Sequence, residues 1–241
     1  MQNENKWVPT KFVTKNGSWV ASRSGIGPSS WLIGDIIAAA YGRAVSTHCR
    51  GRVIDVGCGS APLYVMYRDR SSSITCIDWD NSLHNVSFCD RYVDLNQEWD
   101  VPSDSFDTVI ATDVLEHLHS PETFFSEVAR ICAPGGKLIL GIPFMYWIHE
   151  APHDYLRHTE FSLRRYCQLN SLEVVELTCT GGAPELMADI AFKMLRPRKV
   201  FARPLYALAR AILRCPPFPR ISKKSRHVFP LGYVLVASKP S

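Results

Sequence analysis

Two stretches of this chain combine residue types and spacings that can do chemistry. The first is Val53-Ile54-Asp55-Val56-Gly57-Cys58-Gly59-Ser60-Ala61-Pro62. An apolar run delivers the chain into a turn whose two glycines, Gly57 and Gly59, let backbone approach a ligand closely, since no Cβ intrudes. A dinucleotide site asks for a third glycine, for close helix–strand packing, where this chain has Pro62, so nicotinamide binding is disfavoured. The second stretch, residues 143–159, gathers aromatic, acidic and imidazole groups of the kind a substrate pocket needs. Within it His153 is the first candidate general base, assisted by Asp154, with His149 in reserve; an imidazole of pKa about 6.5 can accept a proton near neutrality. The string His149-Glu150-Ala151-Pro152-His153 formally fits the zinc pattern H-E-x-x-H. That pattern works only on a helix, and Pro152 would break the helix, so no metal is expected from it.

The elements that must position these residues are legible as alternating patterns. Short apolar runs at 53–57, 74–78, 91–95, 106–113 and 137–144 read as buried strands. Helical periods fall between several of them, one opened by Pro62 and one over 121–133 with Phe124, Phe125, Val128 and Ile131 on one face. Strands alternating with helices predict a parallel sheet covered on both sides. Residues 1–27 are polar and read as a loose N-terminal arm ahead of a domain at 28–241. From Pro28 a helix is expected, capped by Ser29 or Ser30. After residue 159 come a helix, a strand, a basic helical insertion or lid at 181–229, and a last strand, GYVLVAS. A helix start is expected at Pro204.

The ordered strings VIDVGCGSAP, CIDWD, VDLN, FDTVIATDVLEHL and PGGKLIL resemble the class I S-adenosylmethionine-dependent methyltransferases over about residues 50–180. The resemblance implies an α/β, Rossmann-like doubly wound sheet of seven strands with the last antiparallel, and S-adenosylmethionine as cofactor. It places Asp55, Gly57, Cys58 and Gly59 at the cofactor, Asp78 on the ribose hydroxyls with Asp80 as a nearby competitor, Asp94 and Leu95 at the adenine, and Asp113 and His117 near the methionine end. PHDYLRHT (152–159) resembles a stretch of bacterial methyltransferases linked to glycan and secondary-metabolite pathways. Tyr155 and Arg157 are accordingly placed with the acceptor, although Arg157 could instead tie the loop to a carboxylate and Thr159 cap the next helix. The implied reaction is O-methylation of a sugar hydroxyl or another small-molecule alcohol. An amine or RNA-base acceptor, and a non-catalytic scaffold, are the alternatives.

Composition bounds the remaining classes. With 46% apolar and 21% charged residues, the 241-residue chain can bury a sizeable core. No apolar run reaches the ~18–20 residues that span a bilayer, and the first residues lack the apolar core of a signal peptide. A cytoplasmic protein is expected, with its eight cysteines, none in a C-x-x-C pair, as reduced thiols. The net charge of +4 is uneven: residues 181–229 hold eleven Lys/Arg and two Asp/Glu, a local +9, against −5 for the remainder. Lys199, Arg203, Arg210 and Arg214 fall on one helical stripe, so residues 199–214 are a candidate contact with an anionic membrane at the inner surface. Nucleic acid is disfavoured, because no RNA-binding module is recognisable.

Overall fold

The computed structural model describes residues 1–9, 11–196 and 199–241. The chain forms, in order, strands β1 (Phe12–Lys15) and β2 (Ser18–Ala21), helix α1 (Trp31–His48), β3 (Gly51–Val56), the short helix α2 (Tyr64–Tyr67), β4 (Ser71–Asp78), β5 (Arg91–Tyr92) and β6 (Phe106–Thr112). Then follow α3 (Pro121–Ile131), β7 (Cys132–Pro143), α4 (Glu160–Leu169), β8 (Glu173–Thr180), α5 (Ala183–Leu195), α6 (Lys199–Arg214), α7 (Phe218–Ser225) and β9 (Gly232–Ser238).

Seven strands make one sheet in the order β5-β4-β3-β6-β7-β9-β8. All pairings are parallel except those of β9, which runs antiparallel to both β7 and β8. This is the expected Rossmann-like arrangement. The central strands are apolar on consecutive residues because successive side chains enter opposite cores. Val53, Ile110 and Ile139 pack under α1 and α2, while Ile54, Val109 and Leu138 pack against the α3–α4 side. From β3 the chain builds outward through β4 and β5, then returns to the other side of β3 at β6. The carboxyl ends of β3 and β6 therefore border the crevice where sheets of this kind bind ligands.

Several local expectations differ. The segment read as a loose arm is docked: β1 and β2 pair as a hairpin, Phe12 is fully buried, and Trp7 Nε1 donates to the carbonyls of Ser60 and Ala61. The hairpin turns at Asn16-Gly17, both at positive φ, the sequence that a two-residue turn demands. The strand expected at 91–95 pairs only over Arg91–Tyr92, and the helix opened by Pro62 is a single turn before a 3-10 segment. Ser30 stands at the N-cap without a side-chain bond, whereas Thr159 Oγ1 accepts from Ser162 N at 3.3 Å as expected. Pro204 lies inside α6 rather than at its start.

The basic segment also differs. Ala202 and Tyr206 of α6 are buried against Trp31, Leu32 and Phe192. Arg210 turns inward, donating to Tyr206 Oη at 3.0 Å beside Asp35, which also pairs with Arg23 at 2.8 Å. The four-residue stripe is thus broken: Arg203 and Arg214 are exposed, Arg210 is engaged, and the side chain of Lys199 lies outside the described residues. Among the described residues no helix is long and apolar enough to cross a membrane.

Candidate active site

The loop after β3 is shaped by its glycines and by Asp78. Gly57 and Gly59 both sit at positive φ. Gly57 N donates to Ile77 O at 2.9 Å, and Gly59 N donates to Asp78 Oδ2 at 2.6 Å. The other Asp78 oxygen accepts from Trp79 N. The carboxylate at the end of β4 therefore ties down the glycine loop, and each oxygen retains a lone pair for a further donor.

These loops line a cavity of about 400 Å³, the size range of small-ligand sites. Its wall includes Gly57, Cys58, Gly59, Asp78, Asp94, Leu95, Asp113, His117, His153 and Tyr155, each singled out by sequence. Of the residues expected at the cofactor, Asp55 lies off this wall. Its buried carboxylate accepts from Tyr67 Oη at 2.7 Å behind the loop, and burial raises its pKa to about 7. Cys58 reaches the wall, yet its thiol lies 3.4 Å from Cys89 Sγ in the core.

A second cavity, about 250 Å³, adjoins the first and shares Lys11, Asp113 and Glu150 with it. Ile33, Ile37, Ile142 and Val234 give it apolar walls, while Asp113, Glu116, His149 and Glu150 border it on the side toward the first cavity. Asp113 is held on both oxygens, by Tyr41 Oη at 2.8 Å and Lys11 Nζ at 3.2 Å. Tyr41 reaches it across Gly141, where a Cβ would stand 2.3 Å from the ring. Burial pulls the Lys11 pKa down, but the charge and hydrogen bond of Asp113, with Tyr146 and Glu116 nearby, together leave the ammonium above its ordinary value. Tyr146, also on the second cavity, lies under the Lys193 ammonium, which is 3.9 Å from its ring centroid and paired with Asp189 in the interior.

Glu116, His117 and His149 stand together between the cavities. The Glu116 side chain is 1% exposed, and neither carboxylate oxygen has a hydrogen-bond partner. His149 Nε2 lies 3.6 Å and His117 Nε2 3.7 Å from Glu116 Oε1. Burial raises the Glu116 pKa. Burial lowers that of His149, but the Glu116 and Asp154 carboxylates more than compensate, for a net rise.

The expected pairing of His153 with Asp154 is not what the fold makes. Asp154 is bound by the Arg157 guanidinium, which holds its pKa down to about 2, and it accepts from His149 N at 3.0 Å. Its imidazole neighbour is His149, with Nδ1 at 3.4 Å. His153 instead faces the first cavity, 3.1 Å from Tyr155 Oη and packed edge-on against Trp79. Arg157 lines neither cavity; it fixes the loop through Asp154 and the Trp147 carbonyl, so its expected place with the acceptor gives way to the structural one. Sequence reasoning missed Lys11, Tyr41 and Glu150. Lys11 lies in the arm read as loose, and the Asn16-Gly17 turn was the signal that could have placed it.

A methyltransferase-domain family model matches residues 33–177. The chain is 28% identical over 149 residues to a phosphatidylethanolamine N-methyltransferase of Cereibacter sphaeroides, covering 53% of this chain and 73% of that protein. It is 28% identical to a ubiquinone biosynthesis O-methyltransferase of Dechloromonas aromatica, covering 52% and 66%. A probable S-adenosylmethionine-dependent methyltransferase of Mycolicibacterium smegmatis is also 28% identical, and there the match spans about half of each chain, 56% and 52%. Among solved structures, the geranyl diphosphate C-methyltransferase of Streptomyces coelicolor shares the fold with a TM-score of 0.58 at 13% identity, covering 88% of this chain and 82% of that one. The glycine loop, the acidic strand ends and the matched family agree: this chain belongs to the S-adenosylmethionine-dependent methyltransferase-domain family.

Proposed function

We propose that the protein transfers a methyl group to the hydroxyl of a small acceptor with an apolar or aromatic body, bound in the second cavity. The observation that carries this reading is the pair of adjoining cavities, one bordered by the cofactor motifs and one walled by Ile33, Ile37, Ile142 and Val234. The cofactor supplies an activated methyl on a sulfonium, so the chain mainly has to align donor and acceptor. Asp78 would receive the ribose hydroxyls, and Asp94 with Leu95 would border the adenine. Lys11 and Tyr41 hold Asp113 at the junction. Glu116 and His149 border the acceptor cavity, His117 borders the donor cavity beside them, and the cluster serves loss of the acceptor's hydroxyl proton. Apolar walls suit a phenol or lipid-like alcohol better than the expected sugar, whose many hydroxyls would lack partners there. Similarity to ubiquinone-biosynthesis O-methyltransferases supports an oxygen acceptor. An amine acceptor is the second reading, favoured by the N-methyltransferase relative and by the acidic Glu116 and Glu150.

The test uses labelled S-adenosylmethionine with small phenols and alcohols, beside calorimetry with S-adenosylhomocysteine. The product analogue is expected to bind in the micromolar range, about −8 kcal/mol. Ile37→Trp, which fills the second cavity, is expected to abolish transfer while leaving that binding intact. Transfer to the same acceptors at an undiminished rate would overturn the assignment of that cavity.

For partners, we also propose that the outer face of α5 and α6 meets an anionic membrane peripherally. It exposes Met194, Phe201 and Leu208 beside Arg203 and Arg214.

A further inference from the structure

We propose that Glu116, His117 and His149 bind one divalent transition cation of the Zn²⁺ type on the wall between the two cavities. One ligand atom from each lies within 4.8 Å of the others. Three features of the cluster point to a cation.

The first is Glu116. A side chain 1% exposed, with both oxygens lacking a hydrogen-bond donor, is costly unless something meets the charge. Its Oε1 has His117 Nε2 at 3.7 Å and His149 Nε2 at 3.6 Å, so one carboxylate oxygen and two ring nitrogens converge.

The second feature is the tautomers. His117 Nδ1 lies 2.8 Å from the His153 carbonyl, an acceptor only, so Nδ1 carries the proton and donates. His149 Nδ1 lies 3.3 Å from the Trp147 carbonyl and 3.4 Å from Asp154, again acceptors only. Each neutral ring thereby presents an unprotonated Nε2 toward Glu116. Metal-binding histidines are oriented in this way by a carbonyl or carboxylate on the far nitrogen. Arg157 fixes Asp154 in turn, which gives the loop a reason to be rigid.

The third is donor chemistry and spacing. Two imidazoles and one carboxylate suit Zn²⁺ and its first-row neighbours better than Mg²⁺ or Ca²⁺. Bonds of about 2.0–2.1 Å put tetrahedral ligands about 3.3 Å apart, so both carboxylate–imidazole distances need only a few tenths of an ångström of closure. Three protein ligands leave a coordination position open. Glu116 and His149 border the acceptor cavity and His117 borders the donor cavity, so that position lies where the two meet.

The role of the ion rests on the proposed acceptor cavity; its binding does not. A hydroxyl on the open position becomes more acidic and loses its proton to water. Its oxygen then forms a bond to the methyl carbon as the carbon–sulfur bond breaks, the electron pair remaining on sulfur. This site is distinct from the H-E-x-x-H reading, since His153 faces elsewhere and Glu150 is not needed as a ligand.

The full chain, stripped with a chelator, is titrated with Zn²⁺ by calorimetry and with Co²⁺ by absorption. The expected result is one ion per chain with micromolar or tighter affinity and no thiolate charge-transfer band, which excludes the exposed Cys215 as the binder. Glu116→Gln and His149→Ala are each expected to weaken binding at least tenfold, with circular dichroism and S-adenosylhomocysteine binding unchanged. Absence of one-to-one binding, or binding that neither variant weakens, overturns the site. The cofactor analogue reports separately on the methyltransferase reading, so failure of one is told apart from failure of the other.

Discussion

The proposed cofactor side of the site rests on residues whose type alone suggests their task. Gly57, Gly59, Asp78 and Asp94 had to stand at strand ends, and the fold places each on the first cavity. The proposed acceptor side was less legible, because it depends on which carboxylate an imidazole meets across a loop. His153 and Asp154 are sequence neighbours, yet their side chains part: Arg157 takes Asp154, and His149 lies beside it. His149→Ala is therefore expected to cut single-turnover transfer by about 10²-fold or more with cofactor affinity unchanged. His153→Ala should chiefly weaken S-adenosylhomocysteine binding, since His153 faces the first cavity. The opposite pattern in rapid-quench and calorimetric measurements would restore the role to His153. Asp55 supports a different prediction. Burial raises its pKa to about 7, above the unfolded value of about 3.9. The folded chain then holds a proton that the unfolded chain has lost, so stability falls as pH rises from about 4 to about 7 and levels off beyond. Asp55→Asn should remove this slope, matching the wild type near pH 4 and exceeding it at pH 8 by up to roughly 4 kcal/mol. Denaturant melts at the two pH values compare them.

At the scale of elements, the apolar strands announced themselves because both faces of the central sheet are buried. The hairpin did not, since β1 exposes three of its four residues and its polar composition masks its pairing. Its position matters for the proposed site, because Lys11 precedes β1 and closes on Asp113. Asp113 lies beyond β6 at positive φ, so the hairpin, α1 through Tyr41, and the β6 loop meet at one carboxylate. The β3 loop is equally interlocked. A Cβ on Gly57 would stand 2.2 Å from Val114 Cγ2, whereas the nearest neighbour of one on Gly59 is the His84 ring, at 3.1 Å. Gly57→Ala is thus expected to destabilise the domain by roughly 1–3 kcal/mol through overpacking, beyond the strain of its positive φ. Gly59→Ala should cost less, because the His84 side chain can swing aside. Thermal melts without ligand separate the two; an equal loss would mean that backbone strain, not Val114, sets the cost.

The whole molecule is asymmetric in charge, and the asymmetry was plain from sequence while its disposition was not. A stripe drawn on a helical wheel ignores what the helix packs against. Tyr206 carries Arg210 inward to Asp35, so one of the four basic residues anchors α6 and does not face out. Arg203 and Arg214 stay exposed, and so do Phe201 and Met194, at 67% and 80%. Apolar side chains that insert at a headgroup boundary, with basic groups beside them, are what an interfacial helix offers to anionic lipid. Each such basic group contributes about 1 kcal/mol near the surface, fading over a Debye length of roughly 10 Å. Arg203→Glu with Arg214→Glu should weaken sedimentation with phosphatidylglycerol vesicles more than tenfold, and raised salt should do the same to the wild type. Phe201→Ser should weaken binding with little change in salt dependence, because it removes insertion and no charge. Arg210→Gln should leave vesicle binding near the wild-type level and instead lower the melting temperature, since it strips a partner from Asp35. If the wild type partitions equally onto neutral and anionic vesicles, or onto neither, α6 is a covering helix over α1 and the exposed apolar face has another purpose.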